Sequence, residues 1–203
     1  MADAIGAAVT RLRAGGLIVF PTESVYGLGA DALNAAAVAR LVAVRGREPD
    51  KPILVLVRDL AMAEALSPAF PALARRLARR FWPGPLTLVV PARAGLPEPL
   101  TAGTGTIGVR MPGHATAAAL VAGLGRPLTA PSANPPGGVP PRLLAAARVS
   151  FGEAVGAYLD GGELPGGAST VVAVEGATVR VLREGLVSRT ALDAALAEAA
   201  PEG

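Results

Sequence analysis

Hydroxyl, carboxylate and aromatic side chains crowd into residues 20–29, which read FPTESVYGLG. The hydrophobic run just before them, residues 17–20, is typical of a buried strand. Two glycines allow unusual backbone angles or the close approach of a ligand. This segment could therefore bind a small polar ligand with side chains and backbone together. A tight structural turn with Tyr26 in the core has the same composition, and the residues alone leave both interpretations open.

Three cations lie within seven positions at the end of a predicted helix: Arg45, Arg47 and Lys51. Together they could bind a polyphosphate. Lys51 is the only lysine in a chain with 18 arginines, so its position is a further hint. Cations also favour the negative end of a helix dipole, and on charge alone a solvated helix terminus is the simpler explanation.

Three other segments combine conformationally restricted backbone with side chains that bind anions. Arg110 ends a predicted strand, where a guanidinium can hold a carboxylate through two parallel hydrogen bonds. Ser132 and Asn134 begin a loop rich in proline and glycine, although both residues also favour ordinary turns. Residues 166–172 place a hydroxyl pair after two glycines, and Arg183 ends a later strand. Each feature alone is a weak signal.

Composition excludes several kinds of catalytic site. The 203 residues contain no cysteine and a single histidine, His114. Disulfides, thiolate zinc sites and multi-histidine metal sites are therefore excluded. His114 follows a proline and a glycine at a predicted helix start, which favours a surface or capping role. The sequence has no nucleophile elbow, no phosphate-binding P-loop and no dinucleotide-binding fingerprint.

Charge and hydropathy limit the partners. The formal net charge of +3 permits partners that bear phosphate without requiring them. Arginines at 75, 76, 79 and 80 have helical spacing, which favours a solvated helix face over a patch that meets RNA. The longest apolar runs are the length of strands, far short of the roughly 20 residues that span a bilayer. The N-terminus lacks the charge order of a signal peptide, so we expect a cytoplasmic protein without a membrane contact.

Periodicity and capping residues predict helices and strands in an irregular order. That order indicates an α/β or α+β fold with a mixed sheet. Asn34, Asp59, Ser67 and Ser188 are the predicted N-caps. The predicted helices cover about 4–14, 35–45, two segments that follow Asp59 and Ser67, 114–123 and 190–199. The predicted strands cover about 17–20, 53–57, 86–90, 106–111, 128–130, 155–159, 169–174 and 178–182.

Seven segments, taken in order and spacing, resemble the YrdC/TsaC family. They are PTESVYGLG at 21–29, RGR at 45–47, WPGPLT at 82–87, VRMP at 109–112, PSAN at 131–134, STVV at 169–172 and REG at 183–185. The resemblance covers about residues 5–186. It implies one YrdC-like domain over 1–203, of the family's short type, with a C-terminal helix at 188–200. The implied fold is a twisted mixed sheet flanked by helices around a basic cavity.

The resemblance also implies an activity. Members join L-threonine, bicarbonate and ATP into L-threonylcarbamoyladenylate and release pyrophosphate, for the t6A37 modification of tRNA. Attack of a carbamate on the α-phosphorus of ATP needs positioning and cations rather than a protein nucleophile, which suits this residue inventory. Mg²⁺ is expected to arrive with ATP without dedicated protein ligands. Other proteins of the t6A pathway, and tRNA or RNA itself, are the expected partners.

Roles for individual residues follow from the same resemblance. The catalytic positions are Arg45, Arg47, Ser132 and Asn134. The ATP-binding positions are Arg47, Lys51, Thr106, Ser132, Asn134 and Arg183. The threonine-binding positions are Thr22, Ser24, Tyr26, Arg110 and Thr170, among which Arg110 pairs with the threonine carboxylate.

Departures from the family pattern keep alternatives open. Arg45 stands where the family has a lysine, and a guanidinium differs from an ammonium in shape and hydration. Leu56 and Pro140 replace a histidine and a serine that are frequent in longer relatives. The main alternative is a YrdC-like protein that binds RNA without catalysis. A carbamoyl-transfer domain of the hydrogenase-maturation kind conflicts with the short length and the absence of cysteine, and only Arg45 supports a degenerate paralogue.

Overall fold

Helices and strands alternate irregularly along the chain, as the sequence predicts. The structure is a computed structural model that describes residues 2–46 and 51–197. Its α-helices are α1 (Ala2–Arg13), α2 (Ala35–Arg45), α3 (Leu60–Glu64), α4 (Ala72–Phe81), α5 (Glu98–Thr101), α6 (Ala115–Leu124), α7 (Leu144–Phe151) and α8 (Arg189–Ala197). Its strands are β1 (Ile18–Pro21), β2 (Tyr26–Gly29), β3 (Val55–Leu56), β4 (Leu86–Pro91), β5 (Thr106–Arg110), β6 (Leu128–Thr129), β7 (Ala157–Tyr158), β8 (Thr170–Glu175) and β9 (Thr178–Arg183).

The described strands form two mixed sheets. The smaller has the order β2-β1-β7, and the larger has the order β6-β3-β5-β4-β8-β9. In the smaller sheet β1 pairs antiparallel with β2 and parallel with β7. In the larger sheet the pairs β3–β5 and β4–β8 are parallel and the others antiparallel. The mixed α/β fold is confirmed, with two sheets where the sequence suggested one.

The segment around β6 joins the two sheets. Leu128 pairs with β3 of the larger sheet and also forms an isolated bridge with Asp31, just after β2. Ser132 forms a second bridge with Gly27 of β2. The loop that follows β6 is therefore held against the glycine-rich segment 26–29.

Local sequence signals explain where several helices begin and end. The Asn34 side chain accepts the N–H of Ala37 at the start of α2, and Gly46 ends that helix with a φ of +83°. Asp59 caps α3 and Ser188 caps α8 in the same way. These three caps are confirmed. The prediction for Ser67 is wrong, because α4 begins only at Ala72: Phe70 precedes a proline, which disfavours helical backbone there.

Apolar side chains fill both faces of the small sheet. Ile18 and Phe20 pack with α1 and α6, whereas Val19 packs with α2 and α7. Successive residues of a strand point to opposite faces, so β1 connects two hydrophobic clusters. A third cluster lies between the larger sheet and the pair α4 and α8, where Leu77 and Leu192 are almost fully buried. Each such leucine contributes about 1.5–3 kcal/mol of burial free energy.

Three elements escaped prediction. They are β2, α5 and α7. The β2 sequence YGLG contains two glycines, which weaken a strand pattern. No side-chain cap marks the start of α5 or α7, so the usual N-terminal signal is missing from both. The predicted end of the last helix, residues 198–200, lies outside the described residues.

Candidate active site

A cavity of about 790 Å³ lies where the two sheets meet. The loop between β1 and β2, the end of α2, the end of β5 and the segment that follows β6 all contribute to its wall, as do residues just before β8 and at the end of β9. Nine residues predicted from the sequence line it. They are Thr22, Ser24, Tyr26, Arg45, Lys51, Arg110, Ser132, Asn134 and Arg183.

Arg110 is the most deeply buried of these charges. It ends β5, and its side chain is 5% exposed. Its Nη2 lies 3.7 Å from Oε2 of Glu23, which is an ion pair without a hydrogen bond. Its Nε has no hydrogen-bond partner among the described residues. A buried guanidinium with unused donors is suited to receive a carboxylate of a ligand.

Burial and neighbouring charges act on Arg110 in opposite directions. Burial lowers the pKa of Arg110 from its ordinary value. The negative charge of Glu23 opposes that shift, and the positive charge of Arg183 adds to it. Arg110 and Arg183 are therefore close enough to repel each other across the cavity, and an anion placed between them would relieve that repulsion.

Arg183 reaches the cavity from the end of β9 and is held by neutral partners. Its Nε and Nη2 donate to the backbone carbonyl of Ser169 at 3.2 and 3.0 Å. Nη2 also donates to the Ser169 hydroxyl at 3.2 Å, and that hydroxyl lies 3.0 Å from Oγ1 of Thr87. Burial lowers the pKa of Arg183. Hydrogen bonds to a carbonyl and a hydroxyl orient this guanidinium without neutralising it.

Arg45 and Ser132 are linked on another wall of the cavity. The Arg45 Nε donates to the backbone carbonyl of Ser132 at 3.1 Å. Gly46 follows with a positive φ and turns the chain out of α2. Lys51 lines the same cavity. Arg47 lies outside the described residues.

Asn134 organises the loop above the cavity. Its Nδ2 donates to the carbonyls of Pro135 and Gly138 at 2.7 and 2.9 Å, which closes residues 134–138 into a turn. Its Oδ1 is buried without a partner among the described residues. A buried acceptor without a donor is costly, so a ligand that offers a donor there would be favoured.

Loop and strand residues within 22–26 form one part of the cavity wall, and hydrogen bonds and burial fix their position. Thr22 Oγ1 donates to the carbonyl of Val25 at 2.6 Å, and Thr22 and Ser24 are each about 3–4% exposed. The Tyr26 hydroxyl lies 2.7 Å from the carbonyl of Gly162 and 3.2 Å from Oδ1 of Asp160. Burial raises the pKa of Tyr26. Tyr26 is therefore in the core, as the structural interpretation predicts, and it also forms part of the cavity wall.

Two predicted site residues do not reach the cavity. Thr106 begins β5, at the end of the strand opposite to Arg110, where its hydroxyl lies 2.8 Å from that of Thr104. Thr170 is fully buried, and backbone groups of residues 185–187 occupy its hydroxyl. Neither side chain lines the cavity, so a contact of either one with a ligand stays a prediction.

Two contributors were missed by sequence reasoning. Ser169 lines the cavity, whereas its neighbour Thr170 was selected from the same hydroxyl pair. Adjacent residues near a strand point to opposite sides, so the pattern alone could not decide between them. Glu23 has no motif of its own, and its pairing with Arg110 joins distant parts of the chain, so no local signal could have found it.

The remaining candidates lie outside the cavity. His114 caps α6, because its Nδ1 accepts the N–H of Thr116 at 3.2 Å, which confirms the capping prediction. On α4, Arg75 is bound to Glu64 and to the carbonyl of Phe70, while Arg79 is exposed.

Among the described residues no cluster of three or more acidic or histidine side chains could hold a metal ion. None of the helices in the described ranges has the length and apolar character to cross a membrane.

Comparison with known proteins shows which family the chain resembles in sequence. The sequence profile of the Sua5/YciO/YrdC family, described as telomere recombination, matches residues 10–185. A Mycobacterium tuberculosis relative, whose name proposes a threonylcarbamoyl-AMP synthase, is 45% identical over 186 residues, which are 91% of this chain and 85% of the relative. The threonylcarbamoyl-AMP synthase of Thiobacillus denitrificans is 43% identical over 144 residues, covering 71% of this chain and 77% of that protein.

A solved structure agrees with this match. The crystal structure of Pyrococcus abyssi Sua5 complexed with L-threonine superposes with a TM-score of 0.91 at 38% identity. The match covers 96% of this chain but only 57% of that archaeal chain, so this protein spans little more than half of its length. The family resemblance inferred from the seven segments is thereby confirmed. By fold, profile and identity over most of its length, the chain belongs to the Sua5/YciO/YrdC family.

Proposed function

We propose that this protein is a threonylcarbamoyl-AMP synthase, which forms L-threonylcarbamoyladenylate and pyrophosphate from L-threonine, bicarbonate and ATP. The observation that carries the proposal is the buried guanidinium of Arg110, which has unused donors and faces a cavity that further cations line. A small carboxylate and a polyphosphate both need cations, and this cavity provides separate ones for each.

Threonine is assigned to the Arg110 end of the cavity. A guanidinium holds a carboxylate best through two parallel hydrogen bonds, and the donors of Arg110 are positioned by β5. Thr22 and Ser24 lie at this end on the loop between β1 and β2. The similarity to a Sua5 structure that contains L-threonine supports the assignment.

ATP is assigned to the walls that carry Arg45, Lys51 and Arg183. Charge-assisted hydrogen bonds from these cations would hold the phosphate oxygens. The amide oxygen of Asn134 lacks a donor and could accept one from the nucleotide. Arg47, carried over from the sequence resemblance, joins this group as a proposal.

The reaction proceeds in two steps in this proposal. The threonine amine first takes up the carbon of bicarbonate, which forms a carbamate and releases water. A carbamate oxygen then attacks the α-phosphorus of ATP, and the bond to the β-phosphate oxygen breaks as pyrophosphate leaves. Neither step needs a protein nucleophile, so the cations act by positioning the reactants and stabilising charge.

Exclusion of water is the second requirement, because carbamates lose carbon dioxide readily in water. Ile53, Leu54, Ala130 and Pro131 give the cavity apolar walls. Apolar walls lower the amount of water around the carbamate and strengthen each charged contact. The cavity is therefore suited to keep the carbamate bound and protected from water between the two steps.

Mg²⁺ would enter with ATP. Among the described residues that line the cavity, none is acidic, so this part of the wall offers no hard carboxylate ligand. The phosphate oxygens and water would hold the ion, and its chemistry would be neutralisation of charge on the phosphates. We propose no dedicated protein ligand for it.

The product would serve tRNA modification in the cytoplasm, where ATP and tRNA are both available. Partner proteins that consume threonylcarbamoyladenylate, and direct contact with tRNA, are proposals that rest on the family alone. The non-catalytic RNA-binding alternative is not favoured, since an RNA-binding protein has no use for a buried guanidinium positioned to receive a carboxylate.

Release of pyrophosphate from ATP tests the function. The reaction would contain bicarbonate and Mg²⁺, with L-threonine, with L-serine, or with neither amino acid. Release that depends on threonine would establish the synthase and show that Arg45 serves in place of the family's lysine. ATP binding without release under these conditions would contradict the proposal and direct attention to RNA binding and its dependence on salt.

A further inference from the structure

Glu23 lies beside Arg110 but does not line the cavity. It lies between Thr22 and Ser24, which both line the cavity, yet it is not itself a lining residue. Its Oε1 accepts the backbone N–H of Gly113 at 2.6 Å. Its Oε2 is buried, lies 3.7 Å from Nη2 of Arg110, and has no hydrogen-bond partner among the described residues. The carboxylate therefore acts on a ligand in the cavity through its charge rather than by direct contact.

Two of the three described guanidiniums that line the cavity, those of Arg110 and Arg183, differ in what compensates them. Arg110 has a carboxylate beside it, so the Arg110 end is close to neutral. Arg183 is held by the carbonyl and hydroxyl of Ser169, which are neutral groups, so it keeps its full charge. An anion placed between Arg110 and Arg183 therefore meets one compensated cation and one uncompensated cation.

This difference separates two classes of anion. Coulomb energy is proportional to the product of the charges, so Glu23 repels a phosphate dianion about twice as strongly as a carboxylate at the same place. The spacing of 3.7 Å leaves the donors of Arg110 available, so a carboxylate can still take up two parallel hydrogen bonds. Glu23 thus shifts the preference of the Arg110 end away from phosphate and towards a singly charged carboxylate.

We propose that Glu23 is the specificity-determining residue that keeps phosphate groups out of the threonine end of the cavity. The inference rests on the proposed function, because it takes the carboxylate at Arg110 to be that of threonine. Without Glu23, ATP or pyrophosphate could occupy the Arg110 end and block the amino acid. With Glu23, the polyphosphate is directed towards Arg183 instead.

His114 does not cancel this effect. The His114 side chain is close enough to Glu23 to interact with its charge. Burial lowers the pKa of His114 below its ordinary value, so the imidazole carries no charge at neutral pH. Arg183 is the other described charge that acts on Arg110. Among the described residues, Glu23 is therefore the negative charge that acts on Arg110.

The variant Glu23→Gln isolates the charge from the structural role. Its amide oxygen can still accept the N–H of Gly113, whereas the negative charge next to Arg110 is gone. Glu23→Asp retains the negative charge but moves it away from Arg110 by one methylene group. Glu163→Gln is the matched control, because it removes a carboxylate from the exposed ion pair with Arg142. We would measure L-threonine binding by titration calorimetry at increasing sulfate, with sulfate as the probe for a phosphate dianion.

Sulfate is expected to leave the threonine affinity of the wild-type protein and of Glu163→Gln within about twofold, and to weaken that of Glu23→Gln by about tenfold. Glu23→Asp is expected to fall between them, so it provides the test if Glu23→Gln does not fold. The KM for threonine in the pyrophosphate-release assay should follow the same order. Equal sensitivity to sulfate across the series would overturn the proposal and leave Glu23 with a purely structural role.

Binding and turnover distinguish this inference from the proposed function. If the wild-type protein binds threonine but releases no pyrophosphate, the function fails while the sulfate series still decides the role of Glu23. If the wild-type protein binds sulfate but no threonine, the inference is overturned, because the Arg110 end would then have no carboxylate to select.

Discussion

The hydroxyl of Thr170 donates to the backbone carbonyl of Val187 at 2.6 Å and accepts the N–H of the same residue at 3.0 Å. It also accepts the N–H of Gly185 at 2.9 Å. One buried side chain thus satisfies three backbone groups of the segment that follows β9. That segment begins directly after Arg183, so Thr170 holds in place the end of the strand that carries a cavity cation.

Thr170→Val should therefore lower stability rather than substrate affinity. Valine has the same shape but leaves three backbone groups without a partner, which should reduce the free energy of unfolding by about 3 kcal/mol. The exposed Thr178→Val is the matched control and should change it by less than about 0.5 kcal/mol. Urea unfolding measures both. An unchanged free energy of unfolding together with a several-fold higher KM for threonine would return Thr170 to the threonine pocket.

Replacing each cavity guanidinium should affect a different substrate. Arg110→Ala removes the proposed carboxylate contact, which is worth about 1.5–3 kcal/mol, so the KM for threonine should rise roughly 10- to 150-fold. The KM for ATP should change much less. Arg183→Ala should show the reverse pattern. Steady-state kinetics on variants that fold by circular dichroism would check this, and equal effects on both substrates would rule out the separation of the two ends.

Arg47 lies outside the described residues, so its role rests on the sequence resemblance. If it contacts ATP phosphates, Arg47→Ala should lower kcat/KM by roughly 10- to 150-fold, the equivalent of about 1.5–3 kcal/mol. Arg79→Ala removes an exposed arginine from α4 and serves as the control. A loss below threefold in a folded Arg47→Ala variant would remove that residue from the site.

His114 should make stability depend on pH. Burial lowers its pKa below the ordinary value of 6.5, and the nearby charge of Glu23 only partly opposes that shift. Between the lowered pKa and 6.5 the unfolded state binds more protons, so stability should fall as the pH decreases through this window. Protonation also removes the acceptor that caps Thr116. Above this window His114 should have no effect.

Melting temperatures between pH 5 and pH 8 would measure this dependence. His114→Asn retains a side-chain acceptor at the N-cap but has no titrating group, and His114 is the only histidine. In this variant the melting temperature should therefore no longer fall as the pH decreases from neutral towards the lowered pKa of His114. An identical slope in the variant would assign the pH dependence to carboxylates instead.

Residue types and their spacing were enough to predict much of the site, because strand ends and helix ends are readable from sequence. Arg110 and Arg183 both lie where a predicted strand stops, and Arg45 lies at the end of a predicted helix. These positions bring the charges to the same cavity once the strands pair. The order of the strands in the sheets was not readable, since it depends on long-range packing.

Other features depend on which way a side chain points. Ser169 and Thr170 are adjacent hydroxyls, and only the three-dimensional structure shows that Ser169 faces the cavity. Thr106 lies on the same strand as Arg110, but at its far end. The pairing of Glu23 with Arg110 joins residues almost 90 positions apart, which no local pattern could indicate.

The pairing of β1 with β7 brings Ile18 next to Ala157, almost 140 residues later in the chain. Such distant pairs are slow to form, because a long loop must close before the contact gains any free energy. The described residues that line the cavity are drawn from positions as far apart as 22 and 183. During synthesis on the ribosome, Arg183 is the last of these residues to be made, so the described wall is complete only after β9 has emerged.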